Sequence, residues 1–342
     1  MNHNPKISVL MSVYNNDRYL KEAVDSILNQ TFADFELLVA DDASTDTSAT
    51  ILAQYDDPRI QVITNENNRG LTHNLNVLLS QSRGKYIARM DADDVALPQR
   101  FRRQYDYLEA HPETGICGGF VEAFFEGSDK KQLVRYAVDD AEIRAFAFFQ
   151  SPFCHPTVMI RKQVLTNHGL LYPPEYRAGQ DYALWIELLP FTKGYNLPEA
   201  LLRFRKHAAS ISSLNEQKLE QKFALIDGIH QRYLAQYGIS LPENELRIYS
   251  QFTDRSIPSD LKTATQTKVS EILKAMENQI GQKYPELHSP WIYHLSMICF
   301  YNFFRAKKFP ATAFLRKKYI RGFCIYLQKL ISDSFKLKKQ SK

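Results

Sequence analysis

The sequence contains no run approaching the roughly 18 consecutive apolar residues of a membrane-crossing helix, so none is expected. Its N-terminus, MNHNPKISVL, lacks the basic stretch and apolar core of a signal peptide, and none is read there. Cysteine is scarce: Cys117, Cys154, Cys299 and Cys324 lie far apart with no C-x-x-C spacing. That pattern suits neither a disulfide framework nor a zinc site, and a reducing, cytoplasmic setting fits it best. Internal repeats and low-complexity segments are missing too.

What is present suits a globular protein of two domains, or one large domain with an appendage, since 342 residues exceed a single typical domain. Hydrophobic residues make up 44% and charged residues 24%, enough for a sizeable core. The net charge of +5 conceals an asymmetry. From Arg305 to Lys342, twelve Lys/Arg stand against one acid, Asp333, so this tail carries +11; subtracting it from +5 leaves −6 on the preceding 304 residues. An acidic body with a basic tail points to a partner for the tail and away from a uniformly basic nucleic-acid binder.

The first hundred residues alternate between two patterns. KISVLMSVY is a short, nearly continuous apolar run of the kind found in a strand buried on both faces, FELLVA reads as a second buried strand, and RIQVIT and KYIARM read as a third and a fourth strand. Between them, helical spacing predicts helices after Asn15 or Asn16, either of which can serve as N-cap, from Thr45 to Tyr55, and from Leu71 to Ser82. Strand–helix alternation predicts a mostly parallel sheet with right-handed crossovers. Two acidic clusters, Asp41-Asp42 and Asp91 to Asp94, then fall just past strand ends, the edge where open α/β sheets bind ligands. From Arg100 to about Leu202 the pattern is mixed, and from Asn215 onward it is mostly helical, with breaks near 238–242 and 256–260.

Five segments carry candidate chemistry. Asp91-Ala92-Asp93-Asp94 presents carboxylates that can grip one divalent cation through oxygen, or simply form a solvated turn. In VADDASTD, an Asp after a strand can accept the imide N–H of uracil, while Ser44 or Thr45 can cap a helix. Asp181, in Gly179-Gln180-Asp181-Tyr182, opens an apolar helix and could act as general base or only as a helix N-terminal charge. CHPTVMIRK contains His155, and a lone His is more often structural. In LLRFRKHAASIS, Arg203, Arg205, Lys206 and His207 could meet a diphosphate or form a solvated loop.

Taken in order and spacing, SVLMSVYN, VADDASTD, NNRGL, GKYIARMDADD, CHPTVMIRK, GQDYALWIEL and RFRKHAASIS make the chain from Ile7 to about Ser212 resemble the family 2 glycosyltransferases of the GT-A fold. It looks closest to bacterial enzymes that add β-linked hexoses or N-acetylglucosamine to lipooligosaccharide, capsule or O-antigen chains. The resemblance implies a Rossmann-like α/β sheet flanked by helices, with a nucleotide-binding half over residues 1–100 and an acceptor-binding half over 101–212. A helical C-terminal region with a basic amphipathic tail would follow over 213–342. It implies that Ser12, Tyr14, Asp42, Asn76, Asp91 and Ala92 line the UDP-sugar pocket, Tyr14 near the base and Asp42 on uracil. Asp93, with Asp91, would hold Mn²⁺ or Mg²⁺, and Asp181 would be the catalytic base. His155, Arg205 and His207 would contact diphosphate or acceptor. Gln180 stands where the family has the Glu of an E-D pair, and Leu75 where many members place Arg before Asn76, so Arg69 is a substitute for that nucleotide contact.

The expected activity is inverting transfer from a UDP-sugar to a hydroxyl of a glycan acceptor, lipid-linked at the inner face of the membrane. A nucleotidyltransferase or a non-catalytic sugar-nucleotide-binding protein are the alternatives. The first is disfavoured because SVYNNDRYL stands where a Gly/Lys/Arg-rich phosphate grip would be, and the second does not require both Asp93 and Asp181. In the tail, Ile320, Phe323, Cys324, Leu327 and Ile331 fall on one helical stripe bordered by basic residues, which suits peripheral attachment to an anionic leaflet or packing on the acidic body.

Overall fold

The computed structural model describes residues 4–128, 130–176, 178–207, 219–254 and 263–306. The amphipathic stripe expected between Ile320 and Ile331 lies outside them. No helix among the described residues is long and apolar enough to cross a membrane.

The chain divides into two compact units. The first holds the residues up to Ile143 together with Ser151–Lys222. It begins with β1 (Ile7–Val13), α1 (Asp17–Leu28), β2 (Phe35–Asp41), α2 (Ser48–Leu52), β3 (Ile60–Thr64), α3 (Leu71–Gln81) and β4 (Tyr86–Asp91). It continues with β5 (Val95–Ala96), α4 (Arg100–Ala110), β6 (Thr114–Phe125), β7 (Lys131–Val134) and the start of α5 (Asp140–Phe146). It ends with β8 (Met159–Arg161), α6 (Lys162–Asn167), α7 (Gln180–Leu188) and β9 (Lys193–Lys206). The nine strands form one sheet in the order β3-β2-β1-β4-β8-β6-β9-β5, with β7 paired to β6. The first four strands are mutually parallel, as the apolar runs predict. The rest of the sheet is mixed: β8 is antiparallel to both β4 and β6, β5 is antiparallel to β9, and only β6–β9 is parallel.

The buried strands read as apolar because they are covered on both sides. Ile7, Val9, Met11 and Val13 point into one core cluster with Leu20, Val24 and Ile27 of α1, while Leu10, on the opposite face, is equally buried. Register sets the level of the ligand edge. Ser12 pairs with Asp91 across β1–β4, and Val13 pairs with Asp41 across β1–β2. The acidic clusters and Tyr14 therefore leave the sheet side by side.

The turns at that edge differ from the expected capping. Asn16 is the N-cap of α1 but makes no side-chain cap bond. The Asn15 carboxamide instead accepts from Thr45 N at 2.7 Å, and Ser44, expected to cap, accepts from Asn15 N at 3.1 Å. The two turns brace each other, which holds the β1 and β2 ends in a fixed relation. Asn15 and Ala43 adopt φ of 49° and 59°. Asn tolerates this left-handed region, but a Cβ there costs about 1–2 kcal/mol. Ala43→Gly is expected to raise stability by about 0.5–1 kcal/mol, the strain relieved less the added freedom of the unfolded chain. Equilibrium urea denaturation checks it; a lower midpoint would contradict the strain.

The second unit holds Arg144–Gln150 and the chain from Phe223 on. Its helices are α8 (Leu219–Gln236), which begins just before the boundary, α9 (Glu243–Thr253), α10 (Thr263–Lys283) and α11 (Pro285–Ala306). Phe148 packs on Tyr233 and Tyr237, and Phe149 on Trp291, so the 144–150 segment supplies aromatic core to this unit. Buried His230 bonds Ser250 at 2.9 Å, and burial pushes its imidazole down to about 4, so it is a neutral core residue.

Candidate functional site

The site begins at the ends of β1 and β2. Tyr14 follows β1 directly and has 51% of its surface exposed. The half-buried Ser12 hydroxyl accepts from Asn74 Nδ2 at 2.9 Å. Asn74 Oδ1 in turn accepts from Asn65 Nδ2 at 2.7 Å, and Asn65 also donates to Asp42 Oδ1 at 2.8 Å. Asp42 is only 2% exposed. Its carboxylate also accepts from the backbone N–H of Arg69 at 2.7 Å and of Gly70 at 2.9 Å. Burial pushes the Asp42 carboxyl up, but these donors outweigh it and hold it below the usual carboxylate range. Asp42 thus anchors the loop before α3, a role that its sequence position does not reveal.

The second part is the turn after β4. Candidate ligand atoms of Asp91, Asp93 and Asp94 lie within 4.8 Å of one another. Asp91 and Asp93 are half-buried, and Ala92 between them is 4% exposed. Asp94 is 1% exposed; its Oδ1 accepts from Arg205 N at 2.8 Å, while its buried Oδ2 has no hydrogen-bond partner among the described residues. Loss of solvent pushes the Asp91 carboxyl up against the pull of Arg89, and the charges of Asp93 and Asp181 add to the rise. Burial raises Asp94 well above the usual range, with Asp91 and Asp93 contributing. Clustered carboxylates with one buried oxygen left over fit a hard divalent cation bound through oxygen. Such a cation would reverse the local electrostatics.

The end of β9 docks on this turn. Arg205 Nε donates to the Asp93 carbonyl at 2.8 Å, and its Nη2 pairs with Glu22. The guanidinium lies over the rings of Tyr19 and Phe124, 4.5 and 4.7 Å from their centroids. Arg205 therefore locks strand to turn. His207 fares differently: its Nε2 lies 2.9 Å from Asp93 Oδ2, so ring nitrogen and carboxylate address one point in space.

The third part is the wall around α7. Gly179, at φ 75°, ends the preceding loop in a left-handed conformation and places Asp181 in the first turn. Asp181 is half-buried, and Ser151 is among its hydrogen-bond partners. Burial raises its carboxyl, opposed by the first backbone N–H groups of the helix. His155 stands nearby, its Nε2 and the Tyr172 hydroxyl 3.0 Å apart. Burial, helped by the Arg89 charge, pushes the imidazole well below its ordinary value. Asn76 is committed, since both ends of its amide bond the backbone of Tyr172.

Arg89 was not singled out in the sequence, although a charged residue in the middle of YIARMD was a signal. It is 2% exposed and pairs with Asp91. Arg100, fully buried, donates to the Arg89 carbonyl at 2.7 Å, and burial pushes its guanidinium down to about 9.

Residues 8–169 match the family model described as glycosyl transferase family 2. The chain is 37% identical over 211 residues to EpsE of Bacillus subtilis (strain 168), a protein assigned as a glycosyltransferase; the match covers 60% of this chain and 75% of that one. It is 34% identical over 213 residues to the O-antigen biosynthesis glycosyltransferase WbnJ of Escherichia coli, covering 60% and 81%. In fold it is similar to S. aureus TarS 1–349 in complex with UDP-GlcNAc, with a TM-score of 0.59 at 18% identity over 93% of this chain and 92% of that one.

Proposed function

Since the chain belongs to the family 2 glycosyltransferases, with a GT-A-like fold, we propose that it transfers a hexosyl or N-acetylhexosaminyl group from a UDP-sugar to a glycan hydroxyl, with inversion. The observation that carries this reading is the carboxylate cluster of Asp91, Asp93 and Asp94 at the strand end, with ligand atoms within 4.8 Å of one another, and Asp181 close enough for its charge to act on Asp91. A relative named for O-antigen biosynthesis supports a surface polysaccharide as product, and a neighbour of like fold holding UDP-GlcNAc supports the donor class.

In the proposed reaction, Tyr14 covers the uracil and the turn anchored by Asp42 frames the nucleotide. Asp181 accepts the proton of the acceptor hydroxyl as that oxygen bonds to the anomeric carbon. The bond to the diphosphate breaks on the opposite side, and UDP leaves with the electron pair. A single-step displacement needs one base and one means of neutralising the leaving group, unlike the carboxylate pair of a glycosidase. A divalent cation, Mn²⁺ or Mg²⁺, held by Asp93 and Asp91 with His207 in reach, supplies that neutralisation when bound. Burial makes Asp181 a stronger base than an exposed Asp. The basic stretch from Arg305 to Lys342 would hold the enzyme at an anionic inner leaflet beside a lipid-linked acceptor. The test is product identity: UDP released from a UDP-sugar supports transfer, whereas pyrophosphate released from UTP and a sugar phosphate, or no turnover with any donor, would contradict it.

A further inference from the structure

The segment between α6 and α7 leads directly into Asp181, yet its described residues form no helix or strand. It is secured from α3 instead. Asn76 Nδ2 donates to the Tyr172 carbonyl at 2.8 Å, and Tyr172 N–H donates to Asn76 Oδ1 at 3.0 Å. One turn earlier on the same helix face, the Thr72 hydroxyl donates to the Tyr176 carbonyl at 3.1 Å. The Asn76 amide thus closes on the backbone as a neighbouring strand would, giving a non-repetitive loop the two bonds it would otherwise lack.

What Tyr172 does with that position bears on the base. Its side chain is 2% exposed. Its hydroxyl bonds His155, and both rings pack edge-on against Trp185, at 6.4 Å from Tyr172 and 5.9 Å from His155. Trp185, fully buried on α7, lies one helical turn after Asp181. At its other end, α3 starts from Gly70, whose N–H is held by Asp42. One helix therefore ties the nucleotide-side turn to the wall behind Asp181.

We infer that Asn76 is a positioning residue for the catalytic base: by holding the Tyr172 backbone it fixes the Tyr172–His155–Trp185 wall on which the Asp181 turn of α7 rests. This departs from a nucleotide contact, since each end of the amide is already bonded to the Tyr172 backbone. It rests on the reading of Asp181 as the base of sugar transfer. A carboxylate displaced by about 1 Å loses up to roughly 100-fold in rate while the nucleotide pocket is untouched.

The experiment measures Asn76→Ala in the full-length protein by turnover of a UDP-sugar, by calorimetric titration with UDP and Mn²⁺, and by hydrogen exchange of peptides spanning residues 168–188. The expected result is a fall in kcat of about 10–100-fold, a Kd for UDP within about two-fold of the parent, and faster exchange confined to the loop and the first turn of α7. Asn76→Asp, nearly the same shape, keeps the acceptor for Tyr172 N–H but opposes a carboxylate to the Tyr172 carbonyl. It should lose kcat in the same sense at unchanged UDP affinity, and it serves if the alanine variant does not fold. A loss of UDP affinity matching the loss of turnover would overturn the inference in favour of a nucleotide contact; unchanged kcat would overturn it outright. If the parent enzyme turns over no UDP-sugar, the functional reading fails. The exchange data then decide alone whether Asn76 holds this loop.

Discussion

Asp181→Asn is expected to retain UDP binding and to lose at least about two orders of magnitude in turnover, the contribution of a positioned general base. The substitution is nearly isosteric and leaves a polar group at the start of α7, so fold and helix terminus should persist. What disappears is a carboxylate with its basicity raised: burial lifts the Asp181 carboxyl, opposed by the first backbone N–H groups of the helix and by Arg89. Because the ionised form is the active one, turnover of the parent should rise with pH through an acid limb lying above that of an exposed Asp, and the variant should lack this limb. Steady-state rates across pH with calorimetric UDP titration check both parts. Parallel loss of UDP affinity would make Asp181 structural.

The second large effect is expected at Asp93. Asp93→Ala should reduce transfer by at least about 10³-fold, since neutralising a leaving diphosphate is worth several kcal/mol. Chelation should silence the parent enzyme, with Mn²⁺ or Mg²⁺ restoring it, as both prefer oxygen ligands. The structure separates this residue from its neighbours. Asp94 is buried and engaged by the Arg205 backbone, and Asp91 is paired with Arg89. Asp93 has 23% of its side chain exposed, and its Oδ2 lies 2.9 Å from His207 Nε2. Full activity of the purified enzyme in excess EDTA would remove the cation from the account.

Much of the nucleotide-side fold was legible because its signals are local. β1, β2 and β4 are mostly apolar, and β2 and β4 end on Asp41 and Asp91, so strand ends and acidic clusters were read together. The longest pair of strands was not. β6 contains Gly115, Gly118 and Gly119, a composition that disguises a buried strand. Those glycines are there because β9 comes too close for side chains: a Cβ at Gly118 would lie 2.2 Å from Asn196 Oδ1 and one at Gly119 2.4 Å from a Leu201 methyl. Pro198 within β9 and the register shifts near Gly119 and Phe120 blur the pattern further. In the site, residue types were readable but their partners were not. Asp42 is bound by residues 23 to 28 positions away, and Arg205 by Asp93 and Glu22 at separations of 112 and 183. No local pattern tells a binding carboxylate or guanidinium from one already committed within the fold.

The most direct test follows the anomeric carbon. An α-linked UDP-hexose or UDP-N-acetylhexosamine that supports turnover is incubated with the enzyme and Mn²⁺, with water as acceptor, and early time points are read by proton NMR before the free sugar mutarotates. The expected products are UDP and the β-anomer, formed together, with neither appearing in the Asp181→Asn variant. Release of the α-anomer, or of UMP and a sugar 1-phosphate, would contradict a single inverting displacement driven by Asp181.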